Sequence, residues 1–378
     1  MLSKGFEVEM YTGTSRGDII GLSDKITASL DGFMREPDSR NVEYITGPLY
    51  NYEQLLCGLV RPRLNLRQYL LQLGDYTLIP GSTLSLGGSD RFFRSDLTKK
   101  YHDYIEKTYG TKVVTASVHI NIGINNPELL IQACRLIRME APLFLALSAS
   151  SPFLDGKFTG YHSTRWYLFP NTPEEVPLFT SHTDHIQWVE KQLASGAMQN
   201  IRHLWTSVRP NGNHRPYNLN RLELRICDLV ADPLALLAIM ALLEARLLHL
   251  IDNPSLDPLS QKQFSITELS IISKQNEVAA AKSSLDAQLI HWQDGKTICA
   301  RDWISELYEQ VLPVAKQYGF SCFLSYLTKI LHKGNESQQW LQLQSVGIST
   351  RNVIFQAINN TREWEIELEE KCCPQLSA

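Results

Sequence analysis

The strongest constraint on the fold of this chain is a strict polar–apolar alternation over residues 113–124 (VVTASVHINIGI). Its apolar positions are Val114, Ala116, Val118, Ile120, Ile122 and Ile124, and its polar positions are Thr115, Ser117, His119 and Asn121. Because successive side chains of a strand point to opposite faces, this segment is predicted to be a β-strand with one core face and one polar face.

Two other segments show the same period of two. Phe6, Val8 and Met10 alternate with Glu7, Glu9 and Tyr11, and Leu222, Leu224 and Ile226 alternate with Arg221, Glu223 and Arg225. The predicted sheet therefore needs helices on its apolar side, while its other side carries charged groups.

Helices are predicted between and after these strands. A side-chain acceptor precedes a proline at Asn126-Pro127 and at Asp232-Pro233, which is typical of a helix start. These two helices are expected to run to about Leu147 and about Ile251. Further helices are predicted over 261–291, 301–318, 321–332 and 350–369, with loops at 80–90, 150–160, 170–183 and 209–218.

The order of these elements favours an α+β fold with an antiparallel sheet. No GxGxxG motif follows a predicted strand, so a Rossmann fold is not indicated. A boundary is conceivable at 252–258 (DNPSLDP), but the later helices can pack on the same sheet. The prediction is a single catalytic domain, 1–378, with a sheet-bearing core, 1–251, and a mostly helical C-terminal portion, 252–378.

Composition excludes several classes of protein. The 378 residues include 36 Lys and Arg against 40 Asp and Glu, a net charge of −4, so no nucleic-acid partner is expected. The 43% hydrophobic content excludes a disordered chain. The apolar run from Leu234 to Leu243 is too short to cross a bilayer, so it is predicted to be a core helix, with no membrane partner.

The cysteines and the N-terminus favour the cytoplasm. Seven cysteines are present without a CxxC pair, which fits a reducing compartment. The adjacent Cys372 and Cys373 are interpreted as a feature of the tail rather than a redox centre. The first residues, MLSKGFEVEMY, carry two glutamates where a signal peptide would be apolar.

Acidic side chains on strand faces are the main chemical feature. Glu7 and Glu9 lie two residues apart, so both carboxylates project from the same side of their strand. A solvated strand surface would explain any one of these residues, but several strands repeat the pattern. Carboxylates with one imidazole suit Mg²⁺ or Mn²⁺. The candidate ligands are Glu7, Glu9, Glu36, Glu43, His119 and Glu223.

Other candidate motifs are weaker. The run LSASSPF at 147–153 lacks the glycines of a GxSxG nucleophile turn. The run GSTLSLGGS at 81–89 is followed by no GKS or GKT, so a P-loop is not predicted. His182 and His185 could bind a metal, but exposed loop histidines are the simpler interpretation.

Five segments together resemble the carboxylate–amine ligase family, which includes the glutamate–cysteine ligases, and the chain is most similar to the cyanobacterial-type members. They are GFEVEMY (5–11), VEYITGP (42–48), SVHINIG (117–123), LSASSPFLDGKFTGYHSTR (147–165) and RLELRICDL (221–229). They occur in the family's order, and the similarity extends to about residue 287. The SASSP…TGYxSxR stretch is specific, whereas the ExE pair alone is not.

The resemblance implies a glutamine-synthetase-like fold, in which a curved antiparallel sheet holds ATP, divalent metals and glutamate on its concave face, with helices on the other side. It implies metal ligands at Glu7, Glu9, Glu36, Glu43, His119 and Glu223. It places Arg225 at the γ-phosphate of ATP and places Arg165 and Tyr161 at the substrate.

The chain departs from the family pattern at two places. Asn121 replaces the second histidine of the family's HxH strand. The helix motif NxWRAxRxGLxA appears as NEVAAAKSSLDA (276–287), so its two arginines become Ala279 and Lys282. Lys282 is kept as a candidate substrate-binding residue at the position of the second arginine.

Chemistry and resemblance lead to one expected reaction. Amide formation from a carboxylate needs an activated acyl group, and phosphoryl transfer needs cations at the phosphates. The expected enzyme is an ATP-dependent glutamate–cysteine ligase that acts through γ-glutamyl phosphate and yields γ-glutamylcysteine, ADP and phosphate, the first step of glutathione biosynthesis. The alternatives are a ligase that uses another amine and a non-catalytic binding protein on the same scaffold. The expected partners are small molecules.

Overall fold

The computed structural model describes residues 1–261 and 263–373. Its strands are β1 (Lys4–Thr14), β2 (Phe33–Arg35), β3 (Asn41–Ile45), β4 (Tyr76–Ile79), β5 (Val118–Gly123), β6 (Phe153–Leu154), β7 (Lys157–Phe158), β8 (Val208–Asn211), β9 (Arg221–Leu224), β10 (Gln288–Ile290) and β11 (Thr297–Cys299).

The helices surround this set of strands and dominate the C-terminal third. They are α1 (Ser23–Ser29), α2 (Tyr52–Leu73), α3 (Lys100–Tyr109), α4 (Pro127–Ser148), α5 (Thr164–Leu168), α6 (His182–Ala194), α7 (Pro233–Asp252), α8 (Ile266–Ser283), α9 (Ala300–Gln317), α10 (Ser321–Leu324), α11 (Leu327–Lys333), α12 (Glu336–Ser345) and α13 (Thr350–Cys372).

Seven strands form one sheet in the order β2-β3-β1-β5-β9-β8, with β4 paired to β1. Every pair in this sheet is antiparallel. The prediction of an α+β fold with an antiparallel sheet is therefore confirmed. The register sets Glu7 opposite His119, Glu9 opposite Glu43, and Asn121 opposite Glu223. The polar positions of separate strands thus come together on one face.

The predicted helix starts at 126 and 232 are confirmed. The side chain of Asn126 accepts hydrogen bonds from the backbone N–H groups at the start of α4, and Asp232 does the same for α7. Helix α7 is long and apolar enough, by length and composition, to cross a membrane, yet 83% of its most apolar window is buried inside the protein. The prediction of a core helix at Leu234–Leu243 is therefore confirmed by burial, whereas its stated ground, an apolar run too short to cross a bilayer, does not hold for the 20-residue helix.

The prediction of one long helix over 261–291 is wrong. Helix α8 ends at Ser283, because Ser284 adopts a left-handed φ of 45° and the chain turns back as strand β10. Tertiary contacts hold this reversal: Asn276 forms hydrogen bonds with both the N–H and the C=O of Ile290. The helical composition of the segment did not reveal these contacts.

The prediction of a loop over 209–218 is also wrong at its start, because Val208–Asn211 is strand β8. Pro210 lies inside this strand, and a proline, which has no N–H to donate, is unfavourable within a strand, so the sequence did not predict one here. Strand β8 is at the edge of the sheet, where a proline can be accommodated without breaking the ladder. Helix α12 was not predicted either, although Asn335 and Gln338 form a capping box at its start.

A disulfide joins Cys57 of α2 to Cys373, which follows α13. This corrects the interpretation of the 372–373 pair as only a tail feature, and it differs from the reduced cysteines expected from the sequence. The two residues are 316 positions apart, so their sequence spacing carries no sign of the pairing. The C-terminal helices also share one hydrophobic core with the sheet, for example through Val353 and Ile358 of α13.

Candidate active site

A cavity of about 920 Å³ lies over the polar face of the sheet. Strands β1, β3, β5, β8 and β9 and the loops around them supply its walls. Of the residues predicted from the sequence, seven line it: Glu7, Glu9, Glu36, Glu43, His119, Arg165 and Arg225. The alternation of the strands therefore produces a charged cavity rather than a solvated surface.

Glu7 and His119 face each other across β1 and β5. The distance from His119 Nδ1 to Glu7 Oε2 is 3.0 Å, and Asn121 Nδ2 donates to Glu7 Oε1 at 3.1 Å. Asn121, which replaces a histidine of the family pattern, thus orients a carboxylate instead of offering a second imidazole. The other ring nitrogen of His119 lies 3.1 Å from Ser117 Oγ.

Glu223 is fully buried below the cavity rather than lining it. Arg209 donates two hydrogen bonds to its carboxylate, at 2.7 Å and 3.0 Å, and Asn211 and Arg225 donate further bonds. Burial alone would raise the pKa of Glu223, but the guanidinium groups of Arg209 and Arg225 hold that pKa well below its usual value. Glu223 is therefore an ionised anchor for arginines.

A second set of carboxylates has no such partner. We call Glu9, Glu36 and Glu43 the acidic cluster. In the described part of the chain, no Lys or Arg side chain forms an ion pair with any of the three. Burial, followed by the negative charges of the neighbouring carboxylates, raises the pKa of Glu43 to about 10. Burial and the charge of Glu36 likewise raise the pKa of Glu9.

The donor groups of this cavity fit a divalent cation. Single ligand atoms of Glu7, His119 and Glu223 all lie within 4.8 Å of one another. The oxygens of Glu223 are already hydrogen-bonded to arginines, whereas no Lys or Arg of the described residues forms an ion pair with the acidic cluster, whose raised pKa values reflect the cost of ionising these carboxyls together. Carboxylate oxygens with one imidazole nitrogen are the donor set expected for Mg²⁺ or Mn²⁺. The acidic side of the cavity is therefore the better cation candidate.

The serines of the segment 148–165 are held together by hydrogen bonds to Asp228. This buried carboxylate accepts hydrogen bonds from Ser150 N, Ser151 Oγ and Ser163 Oγ. Its nearest cation is Arg165, with Nη1 at 3.9 Å. The motif thus forms a buried polar network behind the cavity wall, and no serine in it is an exposed nucleophile.

Arg165 connects this network to the segment that follows strand β9. Its Nη1 donates to the carbonyl of Ile226 and its Nη2 to the carbonyl of Arg225, both at 3.1 Å. Its Nε is buried without a hydrogen-bond partner. Arg165 therefore fixes the backbone from which the Arg225 side chain projects, in addition to lining the cavity.

The structure does not bring Tyr161 or Lys282 to this cavity. The ring of Tyr161 stacks on Tyr167 with centroids 3.9 Å apart. Lys282 is exposed in the last turn of α8, and its carbonyl accepts a bond from the backbone N–H of His162. Neither side chain is among those that line the cavity.

Arginines on the opposite wall of the cavity were not among the residues predicted from the sequence. Arg202, Arg209 and Arg215 all line the cavity, and Arg215 Nη1 lies 4.0 Å from Glu223 Oε2. Arg209 was hidden because 209–218 was predicted to be a loop. The alternation of Arg209 and Asn211 around Pro210 was the available signal.

Comparison with known proteins places the chain in a family. Residues 3–360 match the family model for glutamate–cysteine ligase family 2. A protein of Rubrobacter xylanophilus named "Putative glutamate--cysteine ligase 2-1" is 27% identical over 79% of this chain and 78% of its own length. A protein of Sorangium cellulosum named "Putative glutamate--cysteine ligase 2" is 30% identical over 59% of this chain and 58% of its own length.

Solved structures agree with this fold. A glutamate–cysteine ligase of Francisella tularensis in complex with AMP has a TM-score of 0.75 and 13% identity, with 99% of this chain and 93% of that chain covered. A bifunctional glutathione synthetase of Pasteurella multocida has a TM-score of 0.74 and 14% identity, with 98% of this chain and 53% of that chain covered. At these identities the likeness concerns the fold alone. The family match confirms the predicted resemblance and the ligase class: the chain belongs to glutamate–cysteine ligase family 2.

Proposed function

We propose that the chain joins the γ-carboxylate of L-glutamate to the amine of L-cysteine at the expense of ATP, through γ-glutamyl phosphate. One observation carries the proposal: in a member of this family, unpaired carboxylates and a group of arginines line the same 920 Å³ cavity. Residues 1–378 would act as one catalytic unit with small-molecule partners.

The acidic side of the cavity would hold the metal ions. Glu9, Glu36 and Glu43, with Glu7 and His119 beside them, would bind Mg²⁺ or Mn²⁺, whose charge would balance carboxylates that otherwise repel one another. When bound, such a cation neutralises phosphate oxygens and so makes the γ-phosphorus easier to attack.

The arginine side would hold the phosphates. Arg225 is kept in place by the buried Glu223, so its remaining N–H groups would meet the phosphates already oriented. Arg209 supports this arrangement, because it donates to Glu223 and to the carbonyls of Arg202 and Leu204. This pre-organisation favours the charge that develops as the γ-phosphoryl group passes to the glutamate carboxylate. Arg165, which also lines the cavity, would provide a second positive charge that binds a carboxylate of the substrate.

Product analysis tests the reaction. Purified protein with glutamate, cysteine, ATP and Mg²⁺ should release γ-glutamylcysteine, ADP and phosphate in equal amounts. Release of AMP and pyrophosphate would contradict the acyl-phosphate route. If the rate of ADP release does not depend on cysteine but increases with another amine, the acyl-phosphate mechanism would stand and the acceptor would be that amine.

A mechanism-based analogue sharpens the test. A sulfoximine that can be phosphorylated on nitrogen imitates the tetrahedral adduct, and transition-state analogues bind far more tightly than substrates. With a cysteine-like alkyl arm, it should inhibit slowly and only when ATP is present. Inhibition that does not depend on ATP would argue against phosphorylation of the substrate.

A further inference from the structure

A second cavity, of about 510 Å³, lies between the segment 171–177, helix α4 and one face of helix α8. Trp205 lines both this cavity and the catalytic one, so the two are neighbours. None of the residues assigned to the proposed reaction lines it. Its walls combine aromatic and aliphatic groups with three exposed charged side chains, Glu174, Glu175 and Lys274, and with two less exposed charges of opposite sign.

The two less exposed charges are Glu277 of α8 and Arg138 of α4. Glu277 is only 8% exposed, and its Oε1 is buried without a hydrogen-bond partner. The Nε of Arg138 is likewise buried without a partner. In the described part of the chain, no ion pair within 4 Å joins these two side chains to each other, although both line the cavity. Each side chain feels the opposite charge of the other, but Glu277 Oε1 and Arg138 Nε are buried polar atoms whose hydrogen-bonding capacity is unused, which is costly.

An α-amino acid would satisfy both groups at once. Its ammonium group matches the carboxylate of Glu277, and its carboxylate matches the guanidinium of Arg138. The remaining lining residues indicate the kind of side chain that the ligand carries. Trp188 and Trp205 provide aromatic surface, and Ile271, which is 50% exposed, provides aliphatic surface at the rim. Such surface favours an apolar side chain.

We propose that this cavity binds one zwitterionic L-amino acid with an apolar side chain, at a site separate from the catalytic cavity. An amine held as an ammonium ion by Glu277 has no free electron pair for attack on an acyl phosphate. The bound molecule is therefore not the acceptor substrate, and the proposal goes beyond the proposed function.

Calorimetric titration of the full chain with L-methionine, without ATP, tests the site. One molecule should bind per chain. The analogues 3-(methylthio)propylamine and 4-(methylthio)butanoate each lack one of the two charges, so each should bind at least about 10-fold more weakly. Equal binding of either analogue would overturn the requirement for a zwitterion.

Variants locate the binding. Glu277→Gln and Arg138→Met should each weaken L-methionine binding about 10-fold or more, whereas Glu336→Gln, a buried carboxylate in a different cavity, should not change it. If a buried variant fails to fold, Ile271→Asp at the exposed rim should still weaken binding. Unchanged binding in folded variants, or displacement of L-methionine by L-glutamate, would overturn the proposal. Because the titration measures binding without catalysis, its result does not depend on whether the proposed ligase activity is found.

Discussion

At the scale of single residues, the carboxylates in and below the 920 Å³ cavity are chemically alike and differ in the groups that surround them. Glu223 is surrounded by arginines, and its pKa falls, whereas Glu43 faces other carboxylates, and its pKa rises to about 10. Residues that look equivalent on alternating strands thus take opposite electrostatic roles. Glu223 orients arginines of the protein, whereas the acidic cluster is the site proposed for a cation from solution.

Glu9→Gln should reduce turnover by about 100-fold or more and raise the Mg²⁺ concentration needed for half-maximal activity. The change removes one charge from the acidic cluster with little change in shape. Steady-state kinetics over a metal titration measure both effects. Glu53→Gln, on the exposed first turn of α2, is the matched control and should behave like the unmodified chain. Full activity of the Glu9 variant would remove it from the metal site.

Arg165→Lys should lower kcat and lower the free energy of unfolding by about 1–3 kcal/mol. An ammonium group cannot donate to the carbonyls of both Arg225 and Ile226 in the forked geometry of the guanidinium. Urea unfolding and initial-rate kinetics measure the two effects. A variant of unchanged stability whose only defect is a higher KM for glutamate would show that Arg165 binds substrate without positioning Arg225.

At the scale of elements, helices α2 and α13 are joined by buried charges. Arg67 Nε lies 2.5 Å from Glu365 Oε2, and Arg63 Nη1 lies 3.9 Å from Glu365 Oε1. All three side chains are almost fully buried. One carboxylate thus compensates two guanidinium groups between a helix of the sheet-bearing core and the last helix of the chain.

Glu365→Ala should destabilise the protein by about 3–5 kcal/mol, because it leaves two buried arginines without their counter-charge. Urea unfolding followed by circular dichroism measures the loss. Glu363→Ala changes an exposed carboxylate on the same helix and should cost little. Comparable losses in the two variants would show that helix α13 is weakened for reasons other than the buried ion pairs.

At the scale of the whole molecule, the Cys57–Cys373 disulfide closes almost the entire chain into a loop. Thiol titration of the unfolded, unreduced protein should find the five remaining cysteines, and full reduction should reveal all seven. Seven reactive thiols before reduction would show that the bridge is absent from the purified protein.

Cys57→Ser should lower the free energy of unfolding of the oxidised protein by about 2–5 kcal/mol, since the bridge restricts the unfolded chain. Thermal unfolding measures the difference. Cys372→Ser removes an exposed free thiol next to the bridge and should leave the melting temperature unchanged. Equal melting temperatures of the Cys57 variant and the unmodified chain would mean that the bridge adds no stability.

The sequence by itself determined the features that depend on neighbouring residues. Alternation gave strands β1, β5 and β9 and the polar side of their sheet, and the caps at Asn126 and Asp232 gave the starts of two helices. The same alternation predicted acidic residues on the polar face, since a period of two places Glu7 and Glu9 on one side of their strand. Spaced motifs then gave the family.

Only the tertiary structure decided which charged residues meet. Arg209 reaches Glu223 because edge strand β8 pairs with β9, and Tyr161 and Lys282 lie outside the cavity because their loop and helix end pack on each other. The end of α8 at Ser283 and the Cys57–Cys373 bridge depend on contacts between distant segments. Local periodicity sets the face on which a side chain points, but strand order, register and helix docking set its partners, and those partners determine whether a carboxylate anchors an arginine or remains free for a cation.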